Sequence, residues 1–397
     1  MIRYHIPAGF RAAAVRSGIK PSGSPDLALF VASKPCSAAG VFTTNRIAAA
    51  PVKWDRRIVP SESVMGIVIN AGNANAATGD EGFRNARTTA ELLASKIGCE
   101  PDQILVASTG VIGRQLPMDK LTAGVSSAFD RLTIEEEGFL DAAHAILTTD
   151  TRIKVASRVI SLDDREIHIL GIAKGAAMMG PNMATMLAFV LTDAPVASAD
   201  LDAILRTSVD DSFHCISVEG HTSTNDTVLL LASGAAGGTR LAGESLVSFA
   251  STVADLCRDL ARMIPDDGEG ATHLITIDVS GCRTREDARS IAKTVADSAL
   301  VKTAIAGGDP NWGRIVSAAG YSGVEFDETE LSLSLNGFPL YRDGAPLPFD
   351  AETVSNSIKN ERETRIELAL KRGSSSIRFW TCDLTTEYVH INADYTT

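Results

Sequence analysis

Lys174 and Asp193 bracket a run in which no residue is charged, yet Gly180, Pro181 and Asn182 interrupt it near its middle. That pairing constrains the fold. A membrane-spanning helix needs about 20 predominantly apolar residues, and a proline inside a helix costs roughly 3 kcal/mol. The run therefore reads as a turn that delivers a buried strand, Met186 to Leu191. Small Ala184 precedes Thr185 at the strand's first position. If the bond before Thr185 were cut, one residue would hold both a hydroxyl and a free α-amine. An α-amine has a pKa of about 7.7–8.0, against about 10.4 for a lysine, so such a threonine carries its own base. A core strand without chemistry explains the same hydrophobicity, and the residues alone leave both readings open.

Around this run the pattern is mixed α/β. Val64–Asn70 reads as a buried strand ending in a loop of Asn, Gly and Ala over 70–79, where small residues allow close backbone approach. Phe83, Ala86, Ala90, Leu93, Ala94 and Ile97 then recur at helical spacing. Ile104–Ala107 is a short strand running into Ser108-Thr109-Gly110. Val155–Leu162 and Glu166–Ala173, split by Asp163-Asp164, predict a hairpin. Ser198 reads as the N-cap of one helix and Thr284, with Asp287 three residues on, as the cap of another. The clearest helix is 244–263, with Leu246, Phe249, Val253, Leu256 and Leu260 on one face. Beyond about 325, Leu331, Leu333 and Leu335 alternate with serines, which predicts a second, more antiparallel β region within a C-terminal α/β region at about 275–397. The expected architecture is α/β and layered, with sheets packed on each other and helices outside.

At 397 residues the chain is long for one core. Its formal net charge of −12 disfavours nucleic acid and anionic membranes as partners. Cys36, Cys99, Cys215, Cys257, Cys282 and Cys382 are scattered, without the spacing of a zinc site or a disulfide framework. The N-terminal segment shows no signal-peptide pattern, so a cytoplasmic location is expected. Two Ser-x-x-Lys sequences, at Ser17 and Ser290, occur too cheaply to carry an assignment.

Acyl transfer through a threonine needs donors for a developing oxyanion and groups that hold the substrate's ends. Thr109 and Gly110, at a strand end, offer a hydroxyl beside a glycine amide; a glycine turn closing the strand is the plainer reading. Lys174, a lone cation before an uncharged segment, suits an anionic substrate group, or is a surface lysine. Glu269, in Asp266-Asp-Gly-Glu-Gly, suits an ammonium, or sits in a solvated turn; the spacing of a calcium loop is absent. Thr148 opens Thr-Thr-Asp-Thr, whose hydroxyls bind polar groups or cap a helix.

Eight ordered segments carry a resemblance to the glutamate N-acetyltransferases, also called ornithine acetyltransferases or the ArgJ family. Besides Lys174–Asp193 they are Asn70-Ala-Gly-Asn-Ala-Asn, Ala107-Ser-Thr-Gly-Val-Ile-Gly, Leu147-Thr-Thr-Asp-Thr, Thr222-Ser-Thr-Asn-Asp-Thr, Asp267-Gly-Glu-Gly-Ala, Gly308-Asp-Pro-Asn-Trp-Gly-Arg and the tail Asn392–Thr397. The resemblance implies an αββα sandwich similar to, but connected differently from, the N-terminal-nucleophile hydrolases. It implies self-cleavage between Ala184 and Thr185 into chains 1–184 and 185–397, with Thr185 as nucleophile and base and Thr109 and Gly110 as oxyanion hole. It places substrate binding at Thr148, Lys174, Thr185, Glu269, Asn392 and Thr397. The implied reaction moves acetyl from N-acetylornithine to glutamate without metal or organic cofactor, with acetyl-CoA as a second donor in bifunctional members. A dimer of cleaved heterodimers is the implied assembly. One departure is His221, where the family usually has an acidic residue. The rival readings are a threonine-nucleophile aminopeptidase or secondary-metabolite acyltransferase and, from another class, an uncleaved binding protein.

Overall fold

The computed structural model describes residues 3–177 and 186–394. Eight strands form the first sheet: β1 (Phe10–Val15), β2 (Leu27–Phe42), β3 (Ser61–Asn73), β4 (Ile104–Val111), β5 (Lys154–Leu162), β6 (Arg165–Lys174), β7 (Leu187–Thr192) and β8 (Thr227–Ala232). Their order is β4-β3-β2-β8-β7-β6-β5, with β1 also on β2. The long strand β2 turns this sheet into two layers. Its first half pairs with β1 and β3; after register shifts around Cys36, its second half, Ser37–Phe42, pairs with β8.

Alternation along single strands shows the layering. In β7, Leu187, Phe189 and Leu191 face an inner core shared with Phe30, Ile67, Ile69, Leu170 and Leu229. Ala188 and Val190 face the opposite way, against α5 (Ser198–Asp210) and α6 (Gly243–Met263) through Leu201, Leu205, Phe249, Val253 and Leu256. In β3, Ile67 and Ile69 face the inner core while Val68 faces the outer helices. Those helices are α1 (Ala50–Asp55), α2 (Gly79–Ile97) and α3 (Met118–Phe129), which supply Trp54, Ala90, Leu93, Leu121 and Val125. With side-chain period two, both layers bury both faces, and the expected αββα sandwich is what the chain forms. Between the layers' ends, α4 (Glu136–Ala145) inserts Phe139 and Ala142.

The second sheet holds β9 (Leu274–Cys282), β10 (Ser332–Leu335), β11 (Phe338–Arg342), β12 (Ala345–Pro346), β13 (Glu363–Ala369) and β14 (Ser375–Cys382). Its pairs are antiparallel except β13 with β9. The helices in this half are α7 (Arg285–Asp297), α8 (Ala299–Ala306), α9 (Trp312–Gly320), α10 (Ala351–Lys359) and α11 (Thr386–Asp394). Residues of α7 to α10 share a core with Ile277, Ile366, Leu368 and Phe379.

Local signals map closely onto elements. Asp163 and Asp164 both adopt positive φ, 49° and 59°, the geometry a tight hairpin turn requires. Thr284 caps α7 in a reciprocal box with Asp287. Ser198 is a correction: Ala197 is the N-cap, and Ser198 is the first helical residue, its N–H donating to Glu62. A side chain on the first layer takes up that N–H, so no local cap is needed.

Candidate active site

Strand ends from both layers converge on one cleft of about 290 Å³. Thr109 and Gly110 close β4, Lys174 closes β6, and Ser223, Thr224 and Asn225 lead into β8. Thr148 and Thr149 follow α4, Glu269 lies in the loop before β9, and Ile391 and Asn392 come from α11. Six residues singled out from sequence thus line a single cavity: Thr109, Gly110, Thr148, Lys174, Glu269 and Asn392. Ala184, Thr185 and Thr397 lie outside the described residues. His221 is exposed and does not line the cleft.

Gly110 could be no other residue. Its φ is +129°, and a Cβ there would sit 2.4 Å from the carbonyl carbon of Gly72. The parallel ends of β3 and β4 touch at these two glycines, beside a register shift at Gly72–Asn73.

Lys174 is 2% exposed and no surface lysine. Its Nζ donates to Thr148 Oγ1 at 2.8 Å and to Thr109 Oγ1 at 3.3 Å, and lies 3.8 Å from Asp150 Oδ2. An ammonium has only donors, so both threonine oxygens accept from it and their own protons remain available to acceptors in the cleft. Burial lowers the Lys174 pKa, helped by Lys154 and opposed by Asp150, Asp226 and Glu269. Lys20 lies close enough to respond to that charge. It donates to the carbonyls of Pro25 and Ala145, and burial brings it down to about 8 despite Asp26.

Across the cleft, Glu269 Oε2 accepts from Asn392 Nδ2 at 2.8 Å, and the Glu269 N–H donates to Ala176 at 2.9 Å. An anion therefore faces a cation over a cavity floored by hydroxyls and small residues, a layout suited to a zwitterionic ligand with a second charged end.

Other residues at or beside the cleft were not read from sequence. Asn225 Nδ2 donates to the carbonyls of Ala74 and Ser108, tying the β3 and β4 ends to the start of β8. Asp226 is fully buried; Oδ1 accepts the Met186 N–H at 2.9 Å, and Oδ2 has no hydrogen-bond partner among the described residues. Burial pushes its carboxyl well above the usual range, against the Met186 N–H and the charge of Lys174. Asp150 is also buried, yet Lys174, Lys154 and the Gly175 N–H overcome desolvation and hold it well below that range. The signal available for Asn225 and Asp226 was their place in the Thr222–Thr227 motif, a polar cluster before an apolar strand. Among the described residues no group of three or more His, Cys, Asp or Glu side chains is placed to hold a metal ion, and no helix is long and apolar enough to cross a membrane.

A family model described as the ArgJ family matches residues 11–397. The arginine biosynthesis bifunctional protein ArgJ of Thermus thermophilus is 46% identical, over 99% of this chain and 99% of its own. Its namesake in Rhodopirellula baltica is 43% identical, over 99% of this chain and 96% of its own. A solved ArgJ chain from Bacillus halodurans superposes with a TM-score of 0.51 at 38% identity, covering 52% of this chain and 98% of that one. The chain belongs to the ArgJ family. That is a family of arginine-biosynthesis enzymes.

Proposed function

We propose that the protein cuts its own chain between Ala184 and Thr185 and then uses Thr185 to carry acetyl from N-acetylornithine to glutamate. The observation that carries this reading is the cleft itself. One buried ammonium orients two threonine hydroxyls, Glu269 and Asn392 stand opposite, and the strand that follows Thr185 starts under Asp226.

In this reading Thr185 attacks the acetyl carbonyl while its α-amine takes the proton. Thr109 Oγ–H and the Gly110 amide stabilise the oxyanion, and ornithine leaves before glutamate enters. Lys174 and Thr148 hold carboxylate oxygens; Glu269, with Asn392 and Thr397, holds the ornithine ammonium. Chain 1–184 then supplies the oxyanion hole and chain 185–397 the nucleophile. The Bacillus halodurans chain is matched over 98% of its length by 52% of this one, so it is about half as long, as a cleavage product would be. No metal or organic cofactor enters these steps. Two cleaved heterodimers pairing is the assembly that goes with the family. The relatives are called bifunctional, which supports testing acetyl-CoA as a second donor.

Intact mass and N-terminal sequencing test the first step: two chains, the larger reading Thr-Met-Leu-Ala-Phe. An active protein found only as the 41.9 kDa chain sinks it. Initial rates with N-acetylornithine and glutamate varied together should give parallel double-reciprocal lines. Intersecting lines, with no acetylated fragment after acid quench, mean direct transfer instead. Replacing N-acetylornithine by acetyl-CoA in the same assay decides the second donor.

A further inference from the structure

Behind the cleft, outside its lining, Lys154 opens β5 with its side chain wholly buried. Its ammonium bonds Asp150 Oδ1 at 2.8 Å and Asp267 Oδ2 at 2.6 Å, and faces the Arg152 carbonyl at 3.4 Å. Each carboxylate it holds also gathers backbone. Asp150 accepts the Gly175 N–H at 2.6 Å and the Thr148 N–H at 3.1 Å. Asp267 accepts the Thr151 N–H at 3.1 Å and the Thr151 hydroxyl. Two residues beyond Asp267 lies Glu269; one residue before Gly175 lies Lys174. Asp267, Lys154, Asp150 and Lys174 thus form a chain of alternating charge in a wall with side-chain exposures of 0–3%.

We propose that Lys154 is a positioning residue for the transfer reaction, clamping the Thr148 loop to the Glu269 loop and fixing the charge balance around Lys174. The inference rests on the acetyl-transfer reading for its kinetics, but its geometry stands independently of the reaction. Burial makes the clamp specific. Two carboxylates withdrawn from water require a cation between them, and a misplacement of about 1 Å remote from the reacting atoms can cost about 10²-fold in rate.

Five charged groups act on Lys174: Asp150, Asp226 and Glu269 favour its charged form, while Lys154 and Lys20 oppose it. Removing Lys154 deletes one opposing charge and leaves Asp150 to Lys174 alone. Both changes raise the Lys174 pKa. The basic limb of kcat/KM, where Lys174 loses its proton, therefore moves to higher pH.

The test uses the full chain with Lys154→Met/Asp267→Asn, which removes one charge of each sign, beside Lys154→Arg. Circular dichroism and intact mass report folding and processing. In the double variant kcat/KM should fall about 10²-fold, with KM raised for both substrates and the basic limb shifted upward. Lys154→Arg, whose fork can bridge both carboxylates, should recover most of the activity. Hydrogen exchange reads the clamp whatever reaction the cleft performs. The amides of Thr148, Thr151, Gly175 and Glu269 should lose protection together in the double variant, by at least about tenfold. A folded double variant with wild-type kcat/KM and an unmoved basic limb overturns the proposal, as does unchanged protection at those four amides. Absence of acetyl transfer in the wild-type protein, with the exchange result intact, overturns only the proposed reaction.

Discussion

In the cavity wall Lys154 and Lys174 alternate with Asp150 and Asp267, their side chains 0–3% exposed. On the outward face of the second sheet Arg365 and Arg378 flank Asp278, at exposures of 49%, 51% and 22%. Both are ionic ladders across neighbouring segments, made of the same kinds of residue at similar distances. Water separates them. The outer ladder exchanges hydration for contact at little net gain, about 0.2–1 kcal/mol per pair. The inner ladder has already lost its hydration, so a charge there depends on its neighbours: removing Lys154 leaves buried Asp267 with half-exposed Arg152, 4.0 Å away, as its remaining cation among the described residues. A charge pair is informative about function where it is expensive to maintain.

Substitutions can break or sharpen that contrast. The largest effect belongs to Thr185→Ala, which should abolish both cleavage and transfer because no hydroxyl remains; two fragments on intact-mass analysis would refute autocatalysis. Asp150→Asn should cost about 3–5 kcal/mol in denaturant unfolding, the range for breaking a buried ion pair. Its pH dependence has a definite sign. The folded pKa of Asp150 lies below its unfolded value, so its contribution is complete above the unfolded pKa, about 3.9, and is lost as pH falls towards the folded one. The deficit of the variant should therefore shrink in acid. A deficit independent of pH would remove the ionic explanation.

Thr109→Val should slow acylation and deacylation together by about 10²–10³-fold, as for loss of one oxyanion donor; single-turnover measurements of both half-reactions check it. Asp226 offers the opposite sign to Asp150. Its folded pKa is raised, so its contribution is complete below the unfolded pKa and disappears as pH rises through the folded one. The stability of Asp226→Asn relative to wild type should improve between pH 4 and pH 7, and melting curves at the two pH values decide this. The smallest effect is expected for Arg365→Ala, within about 1 kcal/mol of wild type and with unaltered transfer. A larger loss would erase the distinction between the two ladders.

Sequence was most legible where the determinants are local. The helix at 244–263 and the Thr284 cap needed only neighbours within a turn or two, and α6 and α7 follow them closely. The alternation of Leu331, Leu333 and Leu335 marked β10. β9 went unread, although Ile275, Ile277 and Val279 alternate, because its partners β13 and β14 lie far along the chain. The site divides the same way. Thr109, Lys174 and Glu269 stood out by residue type within motifs, whereas Asp150, Lys154 and Asp267 look like ordinary surface charges until the fold removes water from them. Lys154 and Asp267 are 113 residues apart, and no local pattern announces such a pair.

The long strand β2 has a consequence for any break at residue 185. Its second half pairs with β8 over six residues, Ser37 to Phe42, while β6 pairs with β7 from Ile169 to Lys174. Segments before the break are thus hydrogen-bonded along their length to segments after it, in the middle of a sheet buried on both faces. Dilution would not release the halves, and neither would exist as a free folded body. Gel filtration of a nicked chain should return a single species that separates only in denaturant. Making an active protein from two separately expressed pieces would require them to fold together rather than to meet once folded.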